Sequence, residues 1–315
     1  MHRKLSVVIP VYNEEESLEE LYDKIVENID ACISEELISD FELIFVDDGS
    51  SDCSAEKLRI LSERDHRVHT IIFRKNFGKA AALQAAFRNA DGGVLITMDA
   101  DLQDDPAEIK NFINKIDEGY DLVSGWKVNR LDPLEKRLPS KLFNKVTSKM
   151  SGVALHDFNC GFKAYRREVT DSLDIYGELH RYIPVLAHRK GFKIAEIPVH
   201  HNKRKFGRSK YGVERYLRGL FDSISVSFIL KYYDRPMYFF GGIGLGIFSV
   251  GFLICIILTI EWFIGMAIGT RPLLLLGVML ILLGIQFFSI GLIGDMLVDT
   301  TYRKNYNENH IKEKY

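Results

Sequence analysis

Gly93-Val94-Leu95-Ile96-Thr97-Met98-Asp99-Ala100-Asp101-Leu102-Gln103-Asp104-Asp105-Pro106 decides the fold. Its first six residues form a short apolar run without alternation, the pattern of a strand buried on both faces of a parallel sheet. Asp105 is placed to cap a helix that opens with Pro106. Asp99 and Asp101 therefore stand at the carboxyl end of a buried strand, where open α/β sheets bind ligands. Two carboxylates this close repel. A hard divalent cation, Mg²⁺ or Mn²⁺, relieves that repulsion and takes phosphate oxygens as further ligands. The stretch reads as a metal–diphosphate site. Taken by itself it would more often be a solvated acidic turn, so its surroundings have to carry the reading.

On the amino-terminal side, Leu5–Val11 reads as a first buried strand, followed by Tyr12-Asn13-Glu14-Glu15-Glu16. Asn13 is expected to cap the next helix, with Glu16 closing a capping box. Leu18, Leu21, Tyr22, Ile25 and Ile29 give that helix one apolar face. Phe41–Val46 is a second strand, running into Asp47-Asp48-Gly49-Ser50-Ser51-Asp52 and a helix to Arg64. Val68–Phe73 is a third. Arg74-Lys75-Asn76-Phe77-Gly78-Lys79 then opens an alanine-rich helix over 79–90, where backbone N–H groups and Lys79 could face a phosphate. Three βα units preceding the Asp99 strand belong to one sheet. Their loops share one edge, so Asp47, Asp48, Lys79, Asp99 and Asp101 are expected to converge.

On the carboxyl-terminal side, Tyr120–Gly125 reads as a strand and Leu134–Met150 as a basic helix. Lys127, Arg130 and Arg137 lie nearest the strand end and suit an anionic ligand; Lys145 and Lys149 read as a solvated face. His156–Lys163 is turn-like. It sets Asp157 between two large residues, which suits a general base or a hydrogen-bonding group, or simply an Asx-turn. Gly191–Val199 is a last strand. Lys203–Tyr211 is a basic loop, either a lid over phosphates or a patch on anionic lipid. Residues 212–233 are amphipathic, as an interfacial helix would be. Tyr238–Ile260 and Leu273–Ile293 are each long enough to span a bilayer, which takes about 20 apolar residues. They read as a transmembrane hairpin whose short loop holds Glu261 and Arg271. Basic residues flank it on both sides, Lys231 and Arg235 before, Arg303, Lys304, Lys312 and Lys314 after, so both ends are expected in the cytoplasm.

The net charge of −2 points to no nucleic-acid partner. The four cysteines have neither metal nor redox spacing, as expected of reduced thiols. A strand begins within a few residues of the start, so no signal peptide is expected.

The ordered series Val8-Ile9-Pro10-Val11-Tyr12-Asn13-Glu14, Val46-Asp47-Asp48-Gly49-Ser50, Asn76-Phe77-Gly78-Lys79 and Asp99-Ala100-Asp101-Leu102-Gln103 resembles family 2 glycosyltransferases of the GT-A fold. Arg208-Ser209-Lys210-Tyr211 and the terminal hairpin narrow the resemblance to polyprenyl-phosphate glycosyltransferases, the group of bactoprenol glucosyltransferases and dolichol-phosphate mannose synthases. It covers nearly the whole chain. It implies an α/β fold: a GT-A domain with a Rossmann-like mixed sheet over 1–211, an interfacial helix over 212–235, transmembrane helices within 236–299 (about 237–260 and 273–296) and a cytosolic basic tail over 300–315.

The resemblance also implies roles. Pro10, Tyr12, Glu14 and Asp47 would line the base and ribose of a nucleotide sugar, with Asp48 and Lys79 nearby. Asp99 and Asp101 would hold the metal and diphosphate, with Ala100 and Gln103 beside them. Lys127, Arg137 and Ser140 would meet the acceptor phosphate, with Arg130 close by. Arg208, Ser209 and Lys210 would close over the phosphates. Asp101, Asp157 and Arg208 are the catalytic candidates. The implied reaction is inverting transfer of a hexose to polyprenyl phosphate at the cytoplasmic face of the cell membrane, with glucose from UDP-glucose as the donor put forward first. GDP-mannose or another UDP-sugar is the alternative, and a homo-oligomer stays open. A phosphate monoester acceptor, with its second pKa of about 6, is already largely anionic at neutral pH and needs little general-base help. Two competing readings fare worse. A processive polysaccharide synthase would need a channel and a Gln-x-x-Arg-Trp motif, and a non-enzymatic membrane module would not need Asp99 and Asp101.

Overall fold

The computed structural model describes residues 3–128, 144, 147–148, 151–202, 232, 235–269 and 271–305, the side chains of 299 and 301–305 excepted. They fall into two compact units, one holding the residues up to 202 and the other those from Tyr232 onward.

The first unit is built on a seven-stranded sheet in the order β3-β2-β1-β4-β6-β5-β7. In chain order its elements are β1 (Lys4–Val11), α1 (Leu18–Ser34), β2 (Asp40–Asp47), α2 (Ser54–Arg64), β3 (Val68–Ile72), α3 (Lys79–Asn89) and β4 (Val94–Thr97). A 3₁₀ turn (Pro106–Glu108), α4 (Ile109–Asp117), β5 (Leu122–Lys127), β6 (Lys163–Arg166) and α5 (Arg167–Ser172) follow. A second 3₁₀ turn (Leu179–Tyr182), α6 (Ile183–Arg189) and β7 (Ile194–Val199) complete it. All strand pairs are parallel except those of β6, which runs antiparallel between β4 and β5.

Alternate strand residues serve opposite faces, as the two-residue period of a strand requires. Leu5, Val7 and Ile9 of β1, Leu43 and Phe45 of β2 and Val94 and Ile96 of β4 join one cluster with Leu21 and Ile25 of α1, Leu58 of α2 and Phe112 of α4. The intervening Val8, Ile44 and Leu95 are equally buried outside it, and α3 packs on β1 and β2. Coverage of both faces explains why these strands read as unbroken apolar runs.

Three expectations need correction. Asn13 does not cap α1. It sits at φ +54°, and its side-chain oxygen accepts the Ser51 N–H at 2.7 Å. α1 begins only at Leu18, after Ser17. Glu15 does cap a helix terminus, but that of α2, where it accepts the Cys53 N–H at 2.8 Å. β5 runs two residues past Gly125, because Trp126 and Lys127 stay in register with Pro198 and Val199 of β7. β6 was not expected at all: Lys163 ends the turn-like stretch in sequence but opens a strand in the fold.

The second unit is a pair of long helices, α7 (Pro236–Phe263) and α8 (Pro272–Asn305). Both are long and apolar enough to cross a bilayer, and many of their leucines and isoleucines are exposed, among them Leu253 and Leu275. They pack closely through glycine. A Cβ on Gly244 would lie 2.7 Å from the Gly284 carbonyl, and one on Gly251 the same distance from that of Gly277. Small residues at such contacts let helix backbones approach in a medium that gives no hydrophobic drive for association. Asp295 of α8 accepts the Met237 N–H at 3.0 Å, satisfying an otherwise orphaned group of the first turn of α7. Glu261, expected in the connecting loop, belongs to α7 and pairs with Arg271.

Asn144, Thr147 and Ser148 are helical. The rest of the expected basic helix over 134–150, the basic loop 203–211 and the segment 212–235 apart from Tyr232 and Arg235 lie outside the described residues, as does the chain from 306 onward.

Candidate active site

The strand order reverses direction between β1 and β4, whose onward connections lead to opposite sides of the sheet. The carboxyl ends of these two strands therefore open a crevice at a topological switch point, the usual ligand position in such folds. The residues after β1 (Tyr12 to Glu14) and after β4 (Met98 to Asp101) flank it. Ser17 ties the two sides together: its hydroxyl bonds the Ala100 carbonyl at 2.6 Å. Leu102 adopts φ +60°, uncommon for a bulky side chain, and is buried in the core. That bend turns the chain back after Asp101, whose carboxylate accepts the Gln103 N–H at 3.2 Å.

On the β2 side, Asp47 and Asp48 are both buried. Asp48 accepts N–H groups of Phe77 (2.7 Å) and Gly78 (2.9 Å), locking the loop before α3 onto the loop after β2. Burial pushes the Asp48 carboxyl upward, against the pull of those two N–H groups. Gly49 makes this docking possible: at φ +69° its Cα lies so near the Lys75–Asn76 peptide that a Cβ would come within 2.4 Å of it. Asp47 accepts the Ser50 N–H through Oδ2 at 3.2 Å, while its Oδ1 is enclosed without a hydrogen-bond partner among the described residues. Tyr12 is partly exposed beside the crevice, and Pro10 pairs with Val46 across β1 and β2. The Glu14 N–H donates to Ser54 at 3.0 Å.

Lys79, first residue of α3, reaches the Asp99 carboxylate. Burial would raise the acidity threshold of Asp99, but Lys79, then Lys127 and Lys163, outweigh it and hold this carboxyl well below the usual range. Lys79 is correspondingly raised by Asp99 in spite of burial. Gly161 lies against Asp99 from the other side: a Cβ there would sit 2.8 Å from both carboxylate oxygens. The Gly161 carbonyl in turn accepts the Thr97 hydroxyl at 2.7 Å.

Behind this pair stands a residue that sequence reasoning passed over. Asp104, 1 % exposed, receives the Asp99 N–H at 3.3 Å and the Lys127 ammonium at 2.9 Å. Lys127 is thus largely buried and engaged, raised by the Asp104 carboxylate against the effect of burial. Gln103 and Asp104 also meet the end of the sheet domain. The Asn202 N–H donates to the Gln103 carbonyl at 2.8 Å, and Asp104 bridges to His201. His201 and Asn202, the last described residues of this segment, therefore lie directly against the loop that bears Asp99 and Asp101.

Asp157 is buried and accepts the Asn159 N–H at 3.0 Å, an Asx-turn. Glu196 of β7 fixes this turn, accepting the N–H groups of His156 and Asp157, each at 3.0 Å. Lys163 of β6 is fully enclosed. Its ammonium meets the Cys160 carbonyl and, at 3.4 Å, that of Phe158, and burial pulls its pKa down. The neighbouring Cys160 thiol is pushed up to about 12 by burial. Asp104, Gly161, Lys163 and Glu196 were all missed in the sequence. The available signal was a lysine inside the apolar run Phe162-Lys163-Ala164-Tyr165.

The structure thus brings Asp47, Asp48, Lys79, Asp99 and Asp101 to one edge, with Lys127 behind Asp99. Arg130, Arg137, Ser140, Arg208, Ser209 and Lys210 lie outside the described residues. Asp99 and Asp101 are the oxygen donors a hard cation would use. Mg²⁺ is typically held by one or two carboxylates and completed by substrate phosphates and water. The described residues accordingly show no self-sufficient cluster of three or more metal-ligating side chains. The ammonium of Lys79 on Asp99 shows that this point already attracts positive charge.

The chain is similar to several known proteins. Residues 6–174 match the model of glycosyl transferase family 2. The dodecaprenyl-phosphate galacturonate synthase of Rhizobium johnstonii is 37 % identical over 314 residues, 98 % of this chain and 91 % of the relative. The undecaprenyl-phosphate 4-deoxy-4-formamido-L-arabinose transferase of Salmonella choleraesuis is 34 % identical over 319 residues, covering 99 % and 92 %. Among solved structures, glucosyl-3-phosphoglycerate synthase of Mycobacterium tuberculosis superposes with a TM-score of 0.54 in its complex with Mn²⁺, UDP and phosphoglyceric acid. It shares 19 % identity over 71 % of this chain and 78 % of the other. That likeness is one of fold, the GT-A fold. With the switch-point crevice, the family model and two full-length relatives in agreement, the chain belongs to glycosyl transferase family 2 and is a glycosyltransferase.

Proposed function

We propose that this enzyme transfers a sugar from a nucleotide-diphosphate donor to a polyprenyl phosphate at a membrane surface. One observation carries the reading. Two relatives named for this reaction align with essentially the whole chain, hairpin included. The hairpin helices suit anchoring beside a lipid acceptor, with the sheet domain on the cytoplasmic side.

The two relatives named above carry galacturonate and a formamido-pentose in their names. Neither is glucose, so the donor favoured here is a uronic acid or 4-substituted pentose rather than the glucose that the family resemblance put first. Asp47, with one enclosed oxygen unfilled, suits a nucleoside hydrogen-bond donor. Asp99 and Asp101 would hold Mg²⁺ or Mn²⁺ on the donor diphosphate. The metal would supply charge neutralisation of the leaving group. Lys79 adds a second positive charge at that point, and positive groups fixed in an enclosed site act most strongly there. Asn202 lies against the Asp99–Asp104 loop, and the basic loop that follows it in sequence would cover the phosphates with Arg208, Ser209 and Lys210. Lys127 acts through Asp104 to fix Asp99, while Arg130, Arg137 and Ser140 are left to meet the acceptor phosphate. An anionic acceptor needs little deprotonation, so Asp157 orients more than it abstracts. Positioning carries the larger share of the rate. A single displacement inverts the anomeric centre.

The test uses the full chain in detergent with undecaprenyl phosphate, Mg²⁺ and a panel of radiolabelled nucleotide sugars, following label into the organic phase. Label from UDP-galacturonate or a UDP-pentose, lost with EDTA, is the expected result. Label from UDP-glucose alone would restore glucose as the donor. No label from any donor with folded protein would overturn the acceptor.

A further inference from the structure

His180 has no place in the machinery described so far. It lies in the 3₁₀ turn Leu179–Tyr182, whose flanking Leu179 and Tyr182 are buried and anchor it against α3. The segment leading to it is pinned as well: the Ile175 N–H donates to the Gln84 side chain of α3 at 2.6 Å. The turn packs on α3, whose first residue is Lys79, and Lys79, Arg181, Lys163 and Asp99 are the charged groups near enough to bear on the His180 ring. Its Nδ1 is shut away from solvent and has no hydrogen-bond partner among the described residues.

A buried polar atom without a partner is costly, and one beside an active site invites a ligand group that fills it. We propose that His180 is a sugar-binding residue of this transferase, its Nδ1 hydrogen-bonding a hydroxyl of the sugar being transferred. The ligand class follows from charge. Burial, with Lys79 next, pushes the imidazole down to about 3, so the ring is neutral at working pH. A neutral ring offers one donor and one acceptor. Phosphate oxygens are better served by the ammonium of Lys79, whereas a hydroxyl can both give to and take from such a ring. His180 thus selects among sugars, and Lys79 and Asp99 hold what all the donors share.

The inference rests on the nucleotide-sugar reading of the site, and the experiment separates the two. Wild type, His180→Ala and His180→Asn are purified as the full chain in detergent. Binding of UDP, UDP-galacturonate and UDP-4-deoxy-4-formamido-L-arabinose is measured by calorimetry, and kcat and KM are measured for whichever sugar is transferred. Expected for His180→Ala is a 10- to 100-fold weaker grip on the transferred sugar nucleotide, with UDP affinity changed less than twofold. His180→Asn, whose amide sits where Nδ1 does, recovers most of that loss. Equal weakening of UDP and sugar nucleotide, or no change in either, overturns the role of His180. Failure of the wild type to bind UDP or any sugar nucleotide overturns the reading of the whole site, and the inference falls with it. Should the alanine variant not fold, a UDP affinity that drops along with that of the sugar in the asparagine variant overturns the role just as well.

Discussion

Glu42 and Asp47 lie in the same strand, each about 1 % exposed, at opposite ends of the sheet. At the amino end Glu42 is closed on every side. Oε1 accepts from the Ser6 hydroxyl at 2.5 Å and the Asp91 N–H at 2.7 Å, and Oε2 meets the Lys4 ammonium at 2.8 Å. Ser6 is itself engaged by the Gly92 N–H at 2.8 Å. At the carboxyl end Asp47 has one oxygen filled and one empty among the described residues, and His180 Nδ1 is also unfilled. Buried polar groups are normally satisfied. A closed cluster therefore serves stability, and an open one at a switch point keeps hydrogen-bonding capacity for a ligand. Burial alone would not have told these two carboxylates apart; saturation does.

The largest effect that sharpens this contrast is at the open end. Asp99→Asn removes a charge but keeps a group that Gly161 and Lys79 can pack against. Transfer activity in the organic-phase assay should fall by about 10³-fold, the scale of losing a principal electrostatic contact, far more than the moderate drop in thermal midpoint expected from leaving Lys79 without its charged partner can explain. Glu42→Gln should do the reverse. It leaves Lys4 facing a neutral group and costs about 3 kcal/mol, as breaking a buried pair does, visible in urea unfolding. Activity well below the melting range should stay within twofold. A large loss of activity at full stability would break the contrast.

The closed cluster also has a signature in pH. Burial works against ionisation of Glu42, but Lys4 and Ser6 outweigh it and hold this carboxyl below its ordinary value. A carboxylate depressed in the folded state contributes stability above its unfolded pKa, about 4.3, and loses it as pH falls through the lower folded value. The acid limb of wild-type unfolding should therefore be steeper than that of Glu42→Gln, the two curves converging as pH drops. Urea midpoints across pH 2–7 read this directly. Gly161→Ala returns to the open end with a smaller effect. Its Cβ must displace the Asp99 carboxylate, which should lower kcat about 10- to 100-fold with little change in stability.

How much of this was legible in the sequence divides along the sheet. In the parallel half, consecutive βα units force the loops onto one edge, so Asp47, Asp48, Lys79 and Asp99 could be gathered without coordinates. Asn13 was misread there because its left-handed backbone, with the side chain turned to Ser51, leaves no mark in a capping pattern. In the other half, β6 spans only four residues, Lys163-Ala164-Tyr165-Arg166, too few for a period to show. Its lysine reads as exposed, yet turn carbonyls of Cys160 and Phe158 hold it inside. Asp104 and His180 were invisible for a related reason. Their meaning lies in Lys127 and Lys79, far off in sequence, and no local pattern encodes such a partner.

Ser17 gives the smallest and most discriminating effect. It stands at the N-cap of α1, where serine ordinarily accepts a backbone N–H, but no such bond forms here. Its hydroxyl instead reaches the Glu14 carbonyl at 2.9 Å and, across the crevice, the Ala100 carbonyl at 2.6 Å. Ser17→Ala should therefore cost about 1 kcal/mol, the worth of one buried hydrogen bond, measured by urea unfolding. Because that bond spans the two walls of the crevice, KM for the sugar nucleotide should rise a few-fold with kcat nearly unchanged. A stability loss with KM untouched would make Ser17 a helix-end residue after all, and the open end of the sheet would begin only at Ala100.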